Sequence, residues 1–148
     1  MRFLGLILAV AMTGCGTQTA TFEDLQTRTI RLPGGALIRA EVMMQPADLA
    51  RGMMFRDALP QGRGMLFIHE KLGKYTYWMF QVKIPLDIIW MDSEHRVVEI
   101  SASTPPCDGK PRSECPTYGG SFPSLFVLEL AGGEAQRLGV KVGNVLTF

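Results

Sequence analysis

The alternation of apolar and polar positions indicates a chain built mainly from short strands. In residues 36–42 every second side chain is apolar, and Arg39 and Glu41 lie on the other face, which is the period of a half-buried strand. Residues 27–32 precede them across Pro33-Gly34-Gly35, a strong turn signal. The first structured part of the chain is therefore predicted to be a β-hairpin.

Further apolar segments, each short and bounded by turn residues, predict the remaining strands. They are residues 65–68, 75–80, 86–91, 96–102, 125–130 and 145–148. A short helix is expected to begin at Pro46, because proline suits a first helical position, and to end between Gly52 and Phe55. One or two helical turns are expected at residues 133–138. Since strands and helices do not alternate, we expect a mainly β, small single-domain antiparallel curled sheet or barrel with one or two short helices.

The amino terminus has the pattern of a secretory signal. Arg2 is followed by an apolar stretch too short to span a bilayer comfortably, then by small residues and Cys15. The ending at Cys15 resembles a bacterial lipobox, in which that cysteine is lipidated. The alternatives are an ordinary cleavable signal with a chance cysteine, and an uncleaved anchor.

This interpretation divides the chain into a signal peptide at residues 1–14, a lipid-anchored tether at residues 15–26 and a β domain at residues 27–148. The tether is small and polar, as suits a flexible link. We therefore expect an exported protein, lipid-anchored to the bacterial cell envelope on the periplasmic or outer-membrane face.

The composition and charge of the chain limit the kinds of partner that it is expected to bind. Hydrophobic residues make up 47% of the chain and charged residues 20%, which is globular rather than disordered. The formal net charge is +1, and no basic stripe is visible. Nucleic acid is therefore not an expected partner.

Cys107 and Cys115 remain as a pair in a turn-rich segment of a chain that we expect to be exported. An oxidising compartment makes a disulfide the default. A redox-active or metal-binding pair is the alternative, but the spacing is not that of a CxxC motif. The bridge is expected to order the long proline-rich loop of residues 103–124.

Asp87 is the most conspicuous candidate for chemistry, because its neighbours in the segment 84–91 are apolar. A buried carboxylate needs a partner, and Arg51, Arg56 and Arg63 are the arginines of the nearby helix and loop. We expect an arginine to pair with Asp87. A functional interpretation makes Asp87 a general base or ligand contact, and a structural interpretation makes it a buried ion pair.

Other side chains suggest binding rather than catalysis. Aromatic residues around Trp78 offer stacking surfaces for a ligand, or pack in the core. The abundant methionines are either core filler or soft ligands for Cu(I). His69 and His95 have no other potential metal ligands at the spacing of a metal site, so we expect neither a metal site nor a cofactor.

Five segments together resemble the DUF192 (UPF0127) family. They are Arg51-Gly52-Met53-Met54-Phe55-Arg56, Gly64-Met65-Leu66-Phe67, Tyr77-Trp78-Met79, Ile84-Pro85-Leu86-Asp87-Ile88 and Val127-Leu128-Glu129-Leu130 with Gly133 downstream. The resemblance implies a small, mainly β, exported or membrane-anchored protein without an established activity. The family usually has Lys-Asn-Thr after the Trp-Met pair, whereas this chain has Phe80-Gln81-Val82.

The leading functional hypothesis is a non-enzymatic binding or accessory domain of the cell envelope, with a small molecule, a glycan or an envelope protein as partner. Its expected ligand-binding residues are Arg51, Arg63, Trp78 and Asp87. The first alternative is an envelope-acting hydrolase that uses Asp87 with Arg51 or Arg63. The second is copper binding through methionines.

Overall fold

The computed structural model describes residues 26–148, which form one curled, mainly β domain with two short α-helices. The strands are β1 (Thr27–Arg31), β2 (Leu37–Met43), β3 (Arg63–Gly73), β4 (Tyr77–Trp78), β5 (Leu86–Met91), β6 (Val97–Thr104), β7 (Thr117–Tyr118) and β8 (Ser124–Ala131). The helices are α1 (Pro46–Arg51) and α2 (Glu134–Arg137), and Arg112–Glu114 forms one 3-10 turn.

Six strands form the main sheet in the order β1-β2-β3-β8-β5-β6, and β4 pairs with β7 in a small second sheet. Every neighbouring pair is antiparallel except β2 and β3, which are parallel. Strand β3 can follow β2 in the same direction because α1 and its loop carry the chain back across the sheet. The sheet is therefore mixed, with β3 and β8 at its centre and β5 next to β8.

The main sheet is covered on both faces, so its central strands are apolar on both sides. The buried residues of the first core are Ile30, Leu32, Ile38, Ala40, Leu66, Ile89, Met91, Val97, Leu128, Leu130, Ala135, Val140 and Leu146. Those of the second core are Met53, Leu59, Met65, Phe67, Met79, Val82, Leu86, Ile88, Trp90, Cys107 and Val127. Neighbouring residues of β5 and β8 alternate between the two cores, as the pleat requires.

The predicted mainly β, single-domain architecture with short helices is confirmed. The predicted strand at residues 75–80 shortens to the two residues of β4. The predicted last strand at residues 145–148 is replaced by isolated bridges of Val145 to Arg96 and of Thr147 to Arg31. These two bridges go to different partners, so no continuous ladder forms there.

The predicted disulfide joins Cys107 to Cys115 with a Cα–Cα distance of 5.7 Å. The loop that it closes is tied to β4 and its neighbours, because the Cys107 amide donates to the Met79 carbonyl at 3.2 Å. The long loop predicted at residues 103–124 is thus ordered and contributes β7 to the small sheet.

The predicted signal peptide and Cys15 lie outside the described residues, as does most of the tether. Within residues 26–148, no helix combines the length and apolar character needed to cross a membrane.

Candidate functional site

Two carboxyl side chains are buried on adjacent interior strands of the main sheet, on opposite faces. Asp87 of β5 is 0% exposed and Glu129 of β8 is 4% exposed. Asp87 pairs in register with Leu130, and Glu129 pairs with Ile88, so the two residues are close neighbours in the ladder. Their surroundings decide which of them is available to a ligand.

Asp87 lies on the face of the first core and accepts three backbone hydrogen bonds. Its Oδ1 accepts from the Ser103 amide at 2.7 Å and from the Gly133 amide at 3.0 Å. Its Oδ2 accepts from the Ala135 amide at 2.7 Å. Two of these donors belong to the first turn of α2, where the helix leaves its amides without partners. Asp87 therefore anchors α2 to the sheet.

The remaining donor, the Ser103 amide, belongs to an irregularity of β6. The pairing of β5 with β6 shifts register between Leu86 and Ile88, and Ser103 has a φ of 46°. This is the geometry of a β-bulge, whose freed amide needs an acceptor. Asp87 supplies that acceptor, which again is a structural role.

The predicted pairing of Asp87 with an arginine is wrong. Asp87 takes part in none of the salt bridges formed among residues 26–148. The prediction correctly placed the carboxylate among apolar neighbours, but backbone amides replace the guanidinium. Three amides satisfy a buried carboxylate as well as a cation does, without burying a second charge.

Glu129 lies on the face of the second core and lacks such partners. It is flanked in the ladder by Met65 and Ile88, which are both fully buried. Its Oε2 is buried and has no hydrogen-bond partner among the described residues. Burial in these apolar surroundings raises the pKa of Glu129 to about 8, against a smaller opposing effect of the Arg56 charge. The carboxyl is therefore mostly protonated at neutral pH.

Two polar groups that interact electrostatically with Glu129, those of Arg56 and Tyr77, are engaged elsewhere. Arg56 makes a bidentate pair with Glu41, with N–O distances of 2.6 and 2.7 Å, and this pairing lowers the pKa of Glu41. The Tyr77 hydroxyl shares a hydrogen bond of 3.1 Å with His69 Nε2. Glu129 thus forms none of the salt bridges found within residues 26–148, and its Oε2 accepts no hydrogen bond there.

A cleft of about 230 Å³ opens beside Glu129, between α1 and the aromatic segment around β4. Its walls are mainly apolar or aromatic, and its polar side chains are few. The lining residues are Leu49, Ala50, Arg51, Gly52, Met53, Met54, Phe67, His69, Tyr75, Thr76, Tyr77, Trp78, Val82 and Glu129. An apolar cleft with a few polar groups at its base is the usual form of a small-molecule site, and this one lies below the typical size.

Gly52 shapes the cleft at the end of α1. Its φ is +43°, and a Cβ at this position would lie 3.1 Å from the Phe67 ring and 4.0 Å from Glu129 Oε2. Glycine is therefore needed both for the backbone conformation and for the close approach of the chain to the Phe67 ring. It keeps the space above Glu129 free of a side chain.

Aromatic rings hold the opposite wall rigidly. Tyr77 packs edge-on against Phe67 and Trp90, with ring centroids 5.1 and 5.8 Å apart. The His69 ring stacks on Tyr75 at 3.5 Å, and burial lowers the pKa of His69, so this imidazole is neutral at physiological pH. Burial and the nearby Glu129 both raise the pKa of Tyr77, which keeps its hydroxyl neutral.

The disulfide-closed loop reaches the same wall. The Arg112 guanidinium lies over the Trp78 ring at 4.3 Å from its centroid, a cation–π arrangement. Because Trp78 lines the cleft, the loop supports one side of its mouth.

The four residues predicted to bind a ligand do not come together. Arg51 and Trp78 line the cleft. Arg63 borders a separate polar groove that contains Glu41 and Arg56. Asp87, also the candidate catalytic residue, lies sealed on the other face of the sheet, so it cannot act with Arg51 or Arg63.

Sequence reasoning missed Glu129 and His69 as members of the site, whereas Tyr77 was among the aromatic residues expected to offer stacking surfaces. Glu129 carried the same signal as Asp87, a carboxylate within an apolar strand segment. That signal predicts burial for both residues, but it does not say which of them finds donors.

The methionines of greatest interest pack inside the protein. Met53, Met65 and Met79 are at most 1% exposed and belong to the second core. Met44, in contrast, is 54% exposed. No group of three or more His, Cys, Asp or Glu side chains within residues 26–148 has the arrangement of a metal site.

Comparisons with known proteins show the family and the fold of this chain, but they give no established activity. Residues 29–148 match the model of the DUF192 family, described as an uncharacterized ACR. A crystal structure of a protein of unknown function from Novosphingobium aromaticivorans is 32% identical with a TM-score of 0.75, and the match covers 90% of this chain and 99% of that one.

A second solved structure, from Sinorhizobium meliloti, has been described as that of a proposed transcription regulator. It is 26% identical with a TM-score of 0.72, and the match covers 82% of this chain and 92% of that one. No curated protein matches the sequence.

Proposed function

Since this chain belongs to the DUF192 family, which is described as uncharacterized, we propose a function from its own site: it is a binding domain of the cell envelope that takes a small ligand into the cleft over Glu129. One observation carries the proposal. Glu129 Oε2 is buried at the cleft and has no hydrogen-bond partner within residues 26–148.

An unsatisfied buried polar group costs roughly 1–3 kcal/mol, and native proteins retain few of them. A ligand that hydrogen-bonds to Glu129 removes this cost on binding. The apolar walls contributed by Met53, Phe67 and Val82 add affinity through the surface that they bury with the ligand. The free protein thus holds a site prepared for a partner.

The cellular location is part of the proposal. The lipobox-like sequence ending at Cys15 supports export and lipid anchoring. The disulfide between Cys107 and Cys115 is consistent with an oxidising compartment. The cleft would then face the periplasm or the outer surface, and the tether would leave the domain free to meet its ligand.

A fragment screen by NMR tests the cleft. The ¹⁵N-labelled full chain is exposed to a mixed set of small neutral, cationic and anionic compounds. We expect amide shift changes clustered at cleft residues, with Gly52, His69 and Tyr77 among them, and weakened by Trp78→Ala. Val142→Ala, at an exposed position outside the cleft lining, is the matched control. Changes that avoid the cleft, or none at all, would exclude the proposed site.

The anchor needs a separate experiment. Cells that express the chain are labelled with a radioactive fatty acid, and a Cys15→Ala variant is processed in parallel. Label that depends on Cys15 and a membrane-bound protein support the anchor. Unlabelled protein recovered from the cytoplasm would refute it.

The two alternative functions, hydrolysis and copper binding, differ in their structural support. The hydrolase that uses Asp87 is not supported, because the three amides that hold Asp87 seal it away from Arg51 and Arg63. Copper binding stays a prediction that anaerobic Cu(I) titration tests, although the burial of Met53 and Met65 favours a packing role.

The description of the Sinorhizobium meliloti relative does not extend readily to this chain. A regulator that binds DNA uses a basic surface to contact phosphates. The net charge here is only +1, and two arginines, Arg56 and Arg137, are paired with acidic side chains. Binding of a small ligand fits the observed residues better.

A further inference from the structure

We infer that one end of the main sheet contacts the membrane that holds the amino terminus, through exposed apolar side chains and two lysines that bind anionic phospholipid headgroups. The inference rests on the anchor in the proposed function, and it names the partner and the orientation of the anchored domain. It follows from the direction in which the chain enters the sheet and from the side chains exposed at that end.

The first step is the direction of the chain upstream of β1. Strand β1 is antiparallel to β2, and β2 is parallel to β3. The chain that precedes Thr27 therefore leaves the sheet toward the carboxyl ends of β2 and β3, near Met43 and Gly73, which we call the tether end. The Gln26 carbonyl accepts a hydrogen bond from the Val42 amide at 2.9 Å, so Gln26 continues the direction of β1.

The second step is the distance from the anchor. Residues 15–26 separate the proposed lipid at Cys15 from β1. Even a fully extended chain of this length reaches at most about 40 Å, because each residue adds about 3.3–3.6 Å. Tethering over such a distance gives an effective concentration on the order of millimolar. A contact with the membrane that is weak and reversible is therefore sufficient.

The third step is what the tether end exposes. The neighbouring strands β2, β3 and β8 all have one end there, because β8 runs antiparallel to β3 and begins where β3 ends. Met44 follows β2 and is 54% exposed, Leu72 lies near the end of β3 and is 54% exposed, and Phe122 precedes β8 and is 53% exposed. Such side chains gain free energy when they enter the boundary between lipid headgroups and acyl chains.

A bulge in β3 presents Leu72 at the tether end. Ile68 pairs with Phe126, and the next pair is Gly73 with Ser124. Five steps along β3 thus match two along β8, and the extra residues must leave the ladder. Leu72 consequently lies outside both cores, where it can reach a partner.

Tyr75 holds the bulge in shape and links it to the cleft. Its hydroxyl donates to the Lys71 carbonyl at 2.6 Å, and its ring stacks on His69 with the centroids 3.5 Å apart. A surface that is ordered in this way before contact loses little conformational entropy on contact. Because His69 and Tyr75 also line the cleft over Glu129, membrane contact at the bulge places this wall of the cleft beside the headgroups.

The fourth step is charge. Lys71 and Lys74 lie on either side of Leu72 in the sequence and are exposed. Neither takes part in a salt bridge in the described part of the chain. Glu70 is the acidic residue of the same segment, so two lysines and one glutamate give it a net charge of +1. Lysines beside exposed apolar side chains favour a membrane surface that contains anionic lipids.

An acidic turn limits the extent of this surface. The turn between β5 and β6 also lies toward the tether end, because β5 points in the same direction as β3 on the other side of β8. It carries Asp92 and Glu94, and Asp92 Oδ1 accepts hydrogen bonds from the Glu94 and Arg96 amides at 2.9 Å each. Anionic headgroups repel these acids, so the domain contacts the membrane through the side of the sheet that carries β3.

The test measures which end of the sheet touches lipid. The full chain is isolated with its anchor and reconstituted in vesicles of phosphatidylcholine and phosphatidylglycerol, some of which carry a spin-label quencher at the headgroup. A fluorophore is attached to Leu72→Cys or, as the matched control, to Leu37→Cys. Leu37 is 51% exposed but begins β2, at the opposite end. The unsubstituted chain, treated in parallel, corrects for labelling at Cys15, since Cys107 and Cys115 are joined in the disulfide.

We expect the label on Leu72→Cys to be quenched at least about threefold more strongly than the label on Leu37→Cys. Vesicles of phosphatidylcholine alone, or added salt, should reduce this quenching about twofold or more. Lys74→Glu should reduce it to a similar extent. Arg31→Glu makes the same change of charge beside Leu37, at the opposite end, and should leave the quenching unchanged. Lys74 and Arg31 are both exposed, so neither variant is expected to unfold.

Three results would overturn the inference. Equal quenching of the two labels, or stronger quenching on Leu37→Cys, contradicts the proposed orientation. Quenching that does not respond to phosphatidylglycerol, to salt or to Lys74→Glu contradicts the recognition of anionic lipid. Energy transfer between labelled copies, without quenching by lipid, assigns the tether end to a second copy of the chain.

Failure of this inference is distinguishable from failure of the proposed function. A chain that sediments with the vesicles but shows no quenching keeps its anchor and loses the membrane-facing surface. A chain that does not stay with the vesicles loses both the anchor and the surface. Ligand binding in the cleft is measured in the separate fragment screen and depends on neither result.

Discussion

The two faces of the main sheet each bury one carboxyl, but the surroundings of the two carboxyls are opposite in kind. On the first face Asp87 receives three backbone amides, from a β-bulge and from the start of α2. On the second face Glu129 lies between Met65 and Ile88 in the ladder, with Gly52 close to its carboxyl, and its Oε2 receives none. Adjacent strands thus hold one carboxyl that completes the fold and one that stays available.

The difference lies in what each face packs against the sheet. The turn that leads into α2 brings amides that would otherwise have no partners, and Asp87 compensates for them. Helix α1 lines the second face with apolar side chains and ends at Gly52, whose amide already has a partner. A buried carboxyl in the sheet has a structural role where the segment packed over it donates hydrogen bonds. It remains able to bind a ligand where that segment donates none and leaves a cleft.

The largest expected effect is the loss of Asp87. Asp87→Ala leaves three amides without an acceptor, two of them at the start of α2, so we expect the free energy of unfolding to fall by about 3–5 kcal/mol. Urea denaturation near neutral pH measures it. Asp87→Asn keeps one acceptor oxygen and should lose less. A loss below about 1 kcal/mol for the alanine variant would show that these hydrogen bonds do not hold the first face together.

The next effect comes from Glu129 and depends on pH. Its native pKa of about 8 lies above the ordinary value of 4.5, so the folded protein binds more protons than the unfolded chain between these values. This contribution to stability is complete below about pH 4.5 and is lost as the pH rises through about 8.

Glu129→Gln removes this titration. We expect the variant to exceed the wild type in stability by an amount that grows with pH and reaches a few kcal/mol at about pH 9. Urea unfolding at a series of pH values gives both curves. Curves that remain parallel across this range would mean that the carboxyl is solvated or paired.

These two predictions also show how far the sequence alone could lead. The apolar segments predicted the mainly β architecture, β5 at residues 86–91 and the start of α1 at Pro46, because periodicity and proline act locally. The burial of Asp87 was predictable for the same reason. Its partners were not, since Gly133 and Ala135 are brought to it by the tertiary fold alone.

Less of the candidate site than of the fold could be predicted from the sequence. Arg51 and Trp78 were expected to contact a ligand, and both line the cleft. Glu129 was overlooked within its strand segment because neither its neighbour Ile88 nor the covering Gly52 is close to it in sequence. The identity of such a site depends on contacts between distant segments, which periodicity does not report.

A smaller effect is expected at Gly52, which keeps the second face open. Gly52→Ala places a Cβ 3.1 Å from the Phe67 ring at a φ of +43°. We expect a loss of about 1–2 kcal/mol and weaker binding of small compounds in the cleft, read by the same NMR screen. Gly35→Ala is the matched control, because its φ is +84° but nothing lies within 4 Å of the added Cβ. Equal binding in both variants would mean that Gly52 does not shape the cleft.

The smallest effect is expected from Arg56. Its positive charge holds the pKa of Glu129 below the value that burial alone would give. Arg56→Gln should therefore raise the pKa of Glu129 further, with a free-energy effect under about 1 kcal/mol that salt screens. Arg137→Gln breaks a similar ion pair with Glu134 at the surface and should leave Glu129 unchanged. A fall in the Glu129 pKa on loss of Arg56 would contradict the arrangement of charges described above.

The protonation state of Glu129 is the property on which the contrast between the two faces rests, and a ¹³C NMR titration of its side-chain carboxyl measures it directly, with Glu129→Gln used to assign the signal. A midpoint near pH 8 is the predicted result for a carboxyl enclosed by apolar walls without a partner. A midpoint near the ordinary value of 4.5 would show that water or a donor already satisfies this group, and that the cleft is not prepared for a ligand.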